Sequence, residues 1–161
     1  MEEKSASPSG PVDKRARELA SWDLSRNYWV EAGAGTGKTT LLVERLLRII
    51  ASGAARLEEI VAITFTEKAA TELKVRLQEK IKERLQAAPP EQQPRLRQAL
   101  EEIEYAPIAT IHSFAGSLLR ERPVEAAVDP AFKVLDPGEM EDFLDRVWER
   151  WFAEELKRAP R

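Results

Sequence analysis

The chain contains no cysteine, and it contains one histidine, His112. Disulfide bonds and thiolate metal sites are therefore excluded, and a single histidine cannot form a multi-histidine metal site. No apolar run approaches the roughly 18 residues that a membrane-spanning helix needs. Residues 1–12, MEEKSASPSGPV, lack the apolar stretch of a signal peptide. We therefore expect a cytoplasmic protein with no membrane partner.

Net charge is also small, because 25 Lys and Arg stand against 28 Asp and Glu, for a formal charge of -3. This balance neither predicts nor excludes nucleic-acid binding, since a local basic groove can lie on a mildly acidic protein. The 161 residues suit one domain, and a composition with 43% hydrophobic and 33% charged residues is typical of a globular protein. We predict that the polar residues 1–12 form a disordered tail.

Three short apolar runs alternate with helical patterns along the chain. The runs are YWVEA at 28–32, IVAITF at 60–65 and IATI at 108–111. Strands that alternate with helices predict right-handed crossovers and a parallel sheet covered by helices on both faces, which is an α/β fold. Helical patterns are predicted at 13–21, at 38–52 with Gly53 as the stop, through Ala70, Leu73, Leu77, Ile81 and Leu85, and at about 139–157.

The run at 28–32 leads into a glycine-rich segment that is typical of phosphate binding. Residues 32–39 read AGAGTGKT and fit the pattern G-x-x-x-x-G-K-[ST], with Ala32 at its first position. Glycines let backbone N–H groups wrap a phosphate chain, and the following helix directs its free N–H groups and dipole at the anion. Lys38 would reach the β- and γ-phosphates, and the Thr39 hydroxyl would bind Mg²⁺. The predicted ATP-binding set is Ala32, Gly33, Ala34, Gly35, Thr36, Gly37, Lys38, Thr39 and Thr40, with Lys38 and Thr39 as catalytic residues and Thr39 as the metal ligand.

The other two runs also end in distinctive polar segments, TFTEKAATEL at 64–73 and TIHSF at 110–114. Ligands of parallel sheets lie beyond the carboxyl ends of the strands, so we expect all three segments to share one edge. Hydroxyls and helix N–H groups hold phosphates, and an aromatic ring stacks on a base, so these residue types suit single-stranded nucleic acid. The alternative interpretation places Phe65 and Phe114 in the core and gives His112 a structural role.

Together the three segments resemble the N-terminal motor domain of UvrD-like superfamily 1 DNA helicases. AGAGTGKT resembles motif I of that family, TFTEKAATEL resembles motif Ia, and ATIHSF resembles motif Ib. The Thr-Glu pair in the second segment and DPAFKVLD after the third resemble the RecB and AddA branch of helicase–nucleases. The resemblance implies a P-loop NTPase fold of the RecA-like type, with an incomplete parallel sheet. It places a partial motor domain at residues 13–122 and the start of a helical inserted subdomain at residues 123–161.

The function that this resemblance implies is a DNA-repair and recombination motor that moves 3′ to 5′ along single-stranded DNA with ATP and Mg²⁺. Implied partners are single-stranded DNA and a nuclease or second helicase subunit. The residues that the resemblance places along the DNA are Phe65, Thr66, Thr110, His112 and Ser113.

Two departures from the family pattern affect this interpretation. No Gln, the residue with which the family reads adenine, precedes motif I, and no Asp-Glu pair follows an apolar strand. Because Asp136 is followed by Pro-Gly, we predict a turn there rather than a catalytic strand end. We therefore expect a truncated motor that is inactive alone. Two alternatives stay open, a small P-loop kinase and a non-catalytic module that binds nucleotide or DNA.

Overall fold

The computed structural model describes residues 14–158, and these fold into a mixed α/β arrangement. The predicted tail at 1–12 and the first residue of the helix predicted at 13–21 lie outside the described residues. The helices are α1 Lys14–Trp22, α2 Lys38–Ser52, α3 Glu67–Ala87, α4 Gln93–Glu102, α5 Ile111–Glu121 and α6 Pro137–Arg158. The strands are β1 Ala62–Thr64 and β2 Ile108–Thr110, and short 3₁₀ turns cover Leu57–Glu59 and Ile103–Tyr105.

The two strands pair in parallel, with Ala62 opposite Ile108 and Thr64 opposite Thr110. Helices α3 and α4 form the crossover between them. Parallel strands need such a crossover because the chain must return to the same end of the sheet before the second strand begins. The α/β class predicted from the alternating pattern is therefore confirmed at this level, and the RecA-like arrangement stays a prediction.

The prediction of a strand at 28–32 is wrong, because the structure assigns no strand to that segment. Trp29 is 93% exposed and Val30 is 45% exposed. An extended segment becomes a strand only when a neighbour takes up its N–H and C=O groups. In the described part of the chain β1 and β2 pair with each other, and neither pairs with residues 28–32.

Helix α2 has the bounds predicted from its periodicity. Its inner face buries Leu41, Leu46 and Ile50. It ends at Gly53, which has a φ of 75° and donates its N–H to the carbonyl of Ile50 over 3.0 Å. Glycine at this position avoids the steric cost that a Cβ has in the left-handed region. The predicted stop is therefore confirmed, and its cause is the left-handed turn.

Helix α3 contributes one of the buried faces of the core. Thr66 caps its first turn by accepting the N–H of Ala69 over 3.1 Å. The predicted apolar positions Leu73, Leu77 and Ile81 are buried, and the helix contacts α2, α4 and both strands. The largest fully buried side chains are Leu57, Leu77, Ile81 and Leu96.

The chain divides into two compact units, one through Phe114 and one from Ala115. In the second unit α6 begins earlier than predicted, because Asp136 caps it. The Asp136 carboxylate accepts the N–H of Glu139 over 2.8 Å, and the Asp136 N–H donates to the Glu139 carboxylate over 3.1 Å. This capping box makes Pro-Gly the first turn of a helix and not a separate turn. The domain bounds 13–122 and 123–161 stay a prediction.

Candidate functional site

The glycine-rich segment adopts an open turn immediately before α2. Gly35 and Gly37 have φ angles of 75° and 88°, in the left-handed region. The Thr36 hydroxyl donates to the carbonyl of Gly33 over 2.7 Å and closes the turn. A Cβ built on Gly35 would meet no atom within 4 Å, so the space beside this backbone is open. The turn therefore leaves room for a ligand to approach its main chain.

The side chain of Lys38 folds back over this turn. Its ammonium donates to the carbonyls of Ala32 and Gly33, both over 2.7 Å. An ammonium has three protons, so these two bonds leave one donor for a further acceptor. The side chain is exposed, and its charge is held at the mouth of the turn. The role of Lys38 toward phosphates stays a prediction.

The amino end of α2 carries the donors that an anion needs. No side chain caps the helix at Gly37, and its first turn contains no acidic residue. The first N–H groups of a helix have no partner inside the helix, and the helix dipole places partial positive charge there. The turn, the uncapped helix end and the Lys38 ammonium therefore fit a nucleotide's phosphates.

A metal ion at this end of α2 would have few protein ligands. Thr39 and Thr40 are exposed in the first turn. The residues that the structure describes contain no group of three or more His, Asp or Glu side chains arranged to hold a metal. Mg²⁺ usually binds to one or two protein oxygens together with substrate phosphates and waters. A single hydroxyl from Thr39 is compatible with that mode.

Arg45 of α2 anchors the segment that leads into the turn. Its guanidinium donates to the carbonyls of Ala20 and Asp23 over 2.6 and 2.9 Å and lies 5.3 Å from the ring centre of Tyr28. The Tyr28 hydroxyl donates to the Asp23 carboxylate over 2.8 Å. Hydrogen bonds from the Ser25 hydroxyl and then from Tyr28 lower the pKa of Asp23 to about 2. These contacts connect α1 and the approach segment to α2.

An open cleft of about 310 Å³ lies beside Lys38, between α1 and residues 28–32. Its size is at the lower end of the range for small-molecule sites. The guanidinium of Arg17 reaches the turn here, since a Cβ on Gly37 would lie 3.3 Å from its Nη1 atom. Nothing in the spacing of the sequence signals Arg17 as a neighbour of the turn. Further lining residues are Leu19, Tyr28, Trp29 and Leu41.

The second cluster of predicted residues lies at the carboxyl edge of the two-stranded sheet. Thr64 and Thr110 are opposite each other in the parallel register. Phe65 follows β1 with 96% of its surface exposed, so the alternative that it belongs to the core is wrong. Thr66 caps α3, and His112 is exposed in the first turn of α5. The structure thus brings the TFTEKAATEL and TIHSF segments together, as predicted.

Glu67 joins these two segments by hydrogen bonds. One oxygen, Oε1, accepts the hydroxyl of Thr110 over 2.9 Å and the hydroxyl of Ser113 over 2.8 Å. The Thr110 hydroxyl oxygen in turn accepts the N–H of Ser113 over 3.2 Å and so caps α5. The bonds from Ser113 and then from Thr110 lower the pKa of Glu67. Glu67 is not among the predicted site residues, because its partners are 46 and 43 positions away in the chain.

The expectation that all three segments share one sheet edge is correct for two of them. The glycine-rich turn would reach that edge through a strand at 28–32, and this strand is absent from the described residues. The sheet therefore positions the segments at 64–73 and 110–114, whereas α1 and α2 position the turn.

Residues 13–160 match the family model for the UvrD/REP helicase N-terminal domain. The chain belongs to the UvrD/REP helicase family. Motifs I, Ia and Ib indicate the same family, so the resemblance to UvrD-like helicases is confirmed.

No helix among residues 14–158 is both long and apolar enough to cross a membrane.

Relatives of this UvrD/REP family member include several proteins named as the A subunit of an ATP-dependent helicase/nuclease. The one from Desulforudis audaxviator is 37% identical over 143 residues, which cover 88% of this chain and 12% of that protein. The one from Heliobacterium modesticaldum is 39% identical over 127 residues, which cover 76% of this chain and 9% of that protein. The one from Ligilactobacillus salivarius is 34% identical over 152 residues, covering 90% of this chain and 12% of that protein. The chain thus spans about a tenth of the length of these relatives.

Proposed function

We propose that this chain binds Mg·ATP through residues 32–40 and engages single-stranded DNA at the carboxyl edge of the two-stranded sheet, here called the β1–β2 edge. In this role it is the N-terminal part of an ATP-dependent 3′–5′ DNA helicase or helicase–nuclease of DNA repair and recombination. The observation that carries the proposal is the open turn with Gly35 and Gly37 in the left-handed region, followed by the uncapped end of α2. Family membership and the names of the relatives support it.

ATP supplies the free energy of its hydrolysis when it is bound. The residues of this chain bind and orient it. Main-chain N–H groups of the turn and of the first turn of α2 donate to the phosphates. The ammonium of Lys38 neutralises part of their negative charge, and the Thr39 hydroxyl is a ligand for Mg²⁺. The cleft between α1 and residues 28–32 offers Tyr28 and Trp29 as apolar surfaces for the base.

The β1–β2 edge has the chemistry that single-stranded DNA requires. Helices α3 and α5 both begin there, and N–H groups of a first helical turn that no side chain caps can donate to phosphate oxygens. The exposed ring of Phe65 is a stacking surface for a base, and every base has a face that can stack. The exposed residues Thr66 and His112 each stand two positions after the end of a strand, β1 and β2 respectively. The relatives are named as one subunit of a helicase/nuclease, which supports a protein partner, either a nuclease or a second helicase subunit.

Membership of the UvrD/REP family favours this proposal over a small-metabolite kinase. The non-catalytic module is the second candidate, and it is favoured by the lack of an acidic metal cluster among residues 14–158. Hydrolysis of ATP by the purified chain, stimulated by an oligothymidine, would exclude the module. Binding of both ligands without hydrolysis fits either candidate, because the motor is expected to be inactive in this chain alone.

The direct test is the affinity for nucleotide of Lys38→Ala, measured by isothermal titration with Mg·ADP and Mg·ATPγS. A lost charge-assisted hydrogen bond corresponds to about a ten- to hundredfold weaker binding. Lys82→Ala is the matched control, because Lys82 is an exposed lysine on α3 outside the turn. Equal affinities of Lys38→Ala and Lys82→Ala would show that the turn is not the nucleotide site.

A further inference from the structure

Thr110 and Ser113 are predicted to lie along the DNA, where a hydroxyl can donate to a phosphate, but the structure gives their protons another acceptor. A hydroxyl has a single proton to donate. Ser113 directs its proton to Glu67 Oε1 over 2.8 Å. Thr110 lies 2.9 Å from the same oxygen and 3.0 Å from the Ser113 hydroxyl, and the charged acceptor forms the stronger bond. Both protons are therefore committed to Glu67.

A phosphodiester is an anion and needs donors. A hydroxyl whose proton is committed presents lone pairs, which repel it. The Glu67 carboxylate at the centre of this cluster adds a negative charge, and the two hydrogen bonds that it accepts keep its pKa below the usual value. Direct contact between a phosphate and Thr110 or Ser113 would break bonds to Glu67 and bring two anions together. The cluster is therefore poorly suited to bind phosphate itself.

The cluster is well placed to extend the pairing of the two strands. The parallel ladder holds three residue pairs and ends at Thr64 and Thr110. Beyond that point the chain enters α3 on one side and α5 on the other. Glu67 bridges this gap because it lies in the first turn of α3 and binds Ser113 in the first turn of α5. Phe65 precedes Glu67 by two positions, and His112 precedes Ser113 by one.

We infer that Glu67 is a positioning residue, which fixes the first turn of α5 to the first turn of α3. We call the hydrogen bonds from Thr110 and Ser113 to Glu67 the lock. Thr110 and Ser113 affect DNA binding through the lock and do not contact phosphate. The lock keeps Phe65 and His112 at a constant separation on the DNA-binding edge. The inference rests on the proposed function for its DNA component, whereas the lock itself is a property of the folded chain.

A double-mutant cycle on the affinity for fluorescein-labelled oligothymidine tests the inference. Glu67→Ala and the pair Thr110→Val with Ser113→Ala each weaken binding about three- to tenfold in the otherwise native chain. In the Glu67→Ala background the pair weakens binding clearly less than it does in the native chain, because the lock is already broken and only the Thr110 cap of α5 is still lost. Glu72→Ala, an exposed acid on the same helix, measures the effect of removing one negative charge. The inference is overturned if the pair weakens oligothymidine binding as much in the Glu67→Ala background as in the native chain, because Thr110 and Ser113 would then contact phosphate directly.

Glu67→Gln provides a second, conservative variant. Both hydroxyls donate to the single oxygen Oε1, and an amide oxygen can accept both bonds. We expect Glu67→Gln to bind the oligothymidine at least as tightly as the native chain, since it keeps the lock and removes a charge. An affinity as weak as that of Glu67→Ala would show that hydrogen bonding at this position does not position the edge.

Thermal unfolding of the same variants, followed by circular dichroism without DNA, separates the lock from the proposed function. The lock predicts that Glu67→Ala and the Thr110/Ser113 pair each lower the melting temperature. It also predicts that the combined variant melts close to the less stable of the two. Additive shifts would overturn the lock whatever the DNA result. A native chain that fails to bind oligothymidine but shows coupled melting shifts would overturn the DNA-binding proposal and leave the lock standing.

Discussion

Gly35 tests whether the proposed nucleotide binding depends on the left-handed backbone of the glycine-rich turn. Its φ of 75° lies in the left-handed region, where a residue with a Cβ pays about 1–2 kcal/mol. A Cβ at this position would meet no atom within 4 Å, so crowding adds nothing to that cost. If nucleotide binding requires the turn as it stands, Gly35→Ala must supply this energy on binding. We expect its affinity for Mg·ADP to fall about five- to thirtyfold.

The matched control is Gly33→Ala in the same turn. The φ angle of Gly33 is outside the left-handed region, and an added Cβ would lie 3.7 Å from the Thr36 methyl group, an ordinary contact distance. We expect its affinity to stay within about threefold of the native value, since neither strain nor crowding opposes the turn. Isothermal titration with Mg·ADP at one temperature and salt concentration measures both variants.

A third variant tests whether the loss of nucleotide affinity follows the cost of the left-handed backbone conformation. Asparagine tolerates the left-handed region better than alanine, so Gly35→Asn is expected to bind with an affinity between those of the native chain and Gly35→Ala. The reasoning fails if Gly35→Ala and Gly33→Ala lose affinity equally. It also fails if Gly35→Ala binds as well as the native chain, because the left-handed turn would then be unnecessary for nucleotide binding.

Two further predictions concern DNA binding and stability. Phe65→Ala removes the 96% exposed ring and should weaken oligothymidine binding about five- to hundredfold, as expected for one lost stack, when measured by fluorescence anisotropy. Tyr105→Ala, which removes an 89% exposed ring before the amino end of β2, should have no effect, and equal losses would argue against a Phe65 stack. Leu77→Ala empties a fully buried position and should lower the free energy of unfolding by about 2–5 kcal/mol in urea titrations. Val75→Ala, which is 48% exposed on the same helix, should cost less than about 1 kcal/mol, and a cost equal to that of Leu77→Ala would contradict the assignment of the core.

Elements set by local signals could be predicted from the sequence. The bounds of α2 follow from its apolar periodicity and from Gly53, whose effect depends on its own backbone angles. The buried face of α3 follows from the spacing of Leu73, Leu77 and Ile81. These signals act over a few neighbouring residues, so no knowledge of the tertiary fold is needed to interpret them.

The two errors in the predicted secondary structure, the strand at 28–32 and the turn after Asp136, have different physical causes. The apolar composition of residues 28–32 favours a strand, but strand formation depends on a partner elsewhere in the chain, and β1 and β2 pair with each other. At the start of α6 the composition Pro-Gly favours a turn. The reciprocal bonds of Asp136 and Glu139 outweigh it, and the spacing of these two acids was a local sign that could have located the helix start.

The candidate site shows how a neighbour changes the role that a residue type indicates. Thr110 and Ser113 are hydroxyl residues at a strand end, a combination that is typical of phosphate binding. The parallel register and the crossover bring Glu67 close to them, although it lies more than forty positions away in the sequence. Its carboxylate accepts a hydrogen bond from each of the two hydroxyls. The same edge retains Phe65 and His112 as exposed groups. The three polar residues therefore set the geometry of the edge on which Phe65 and His112 are exposed.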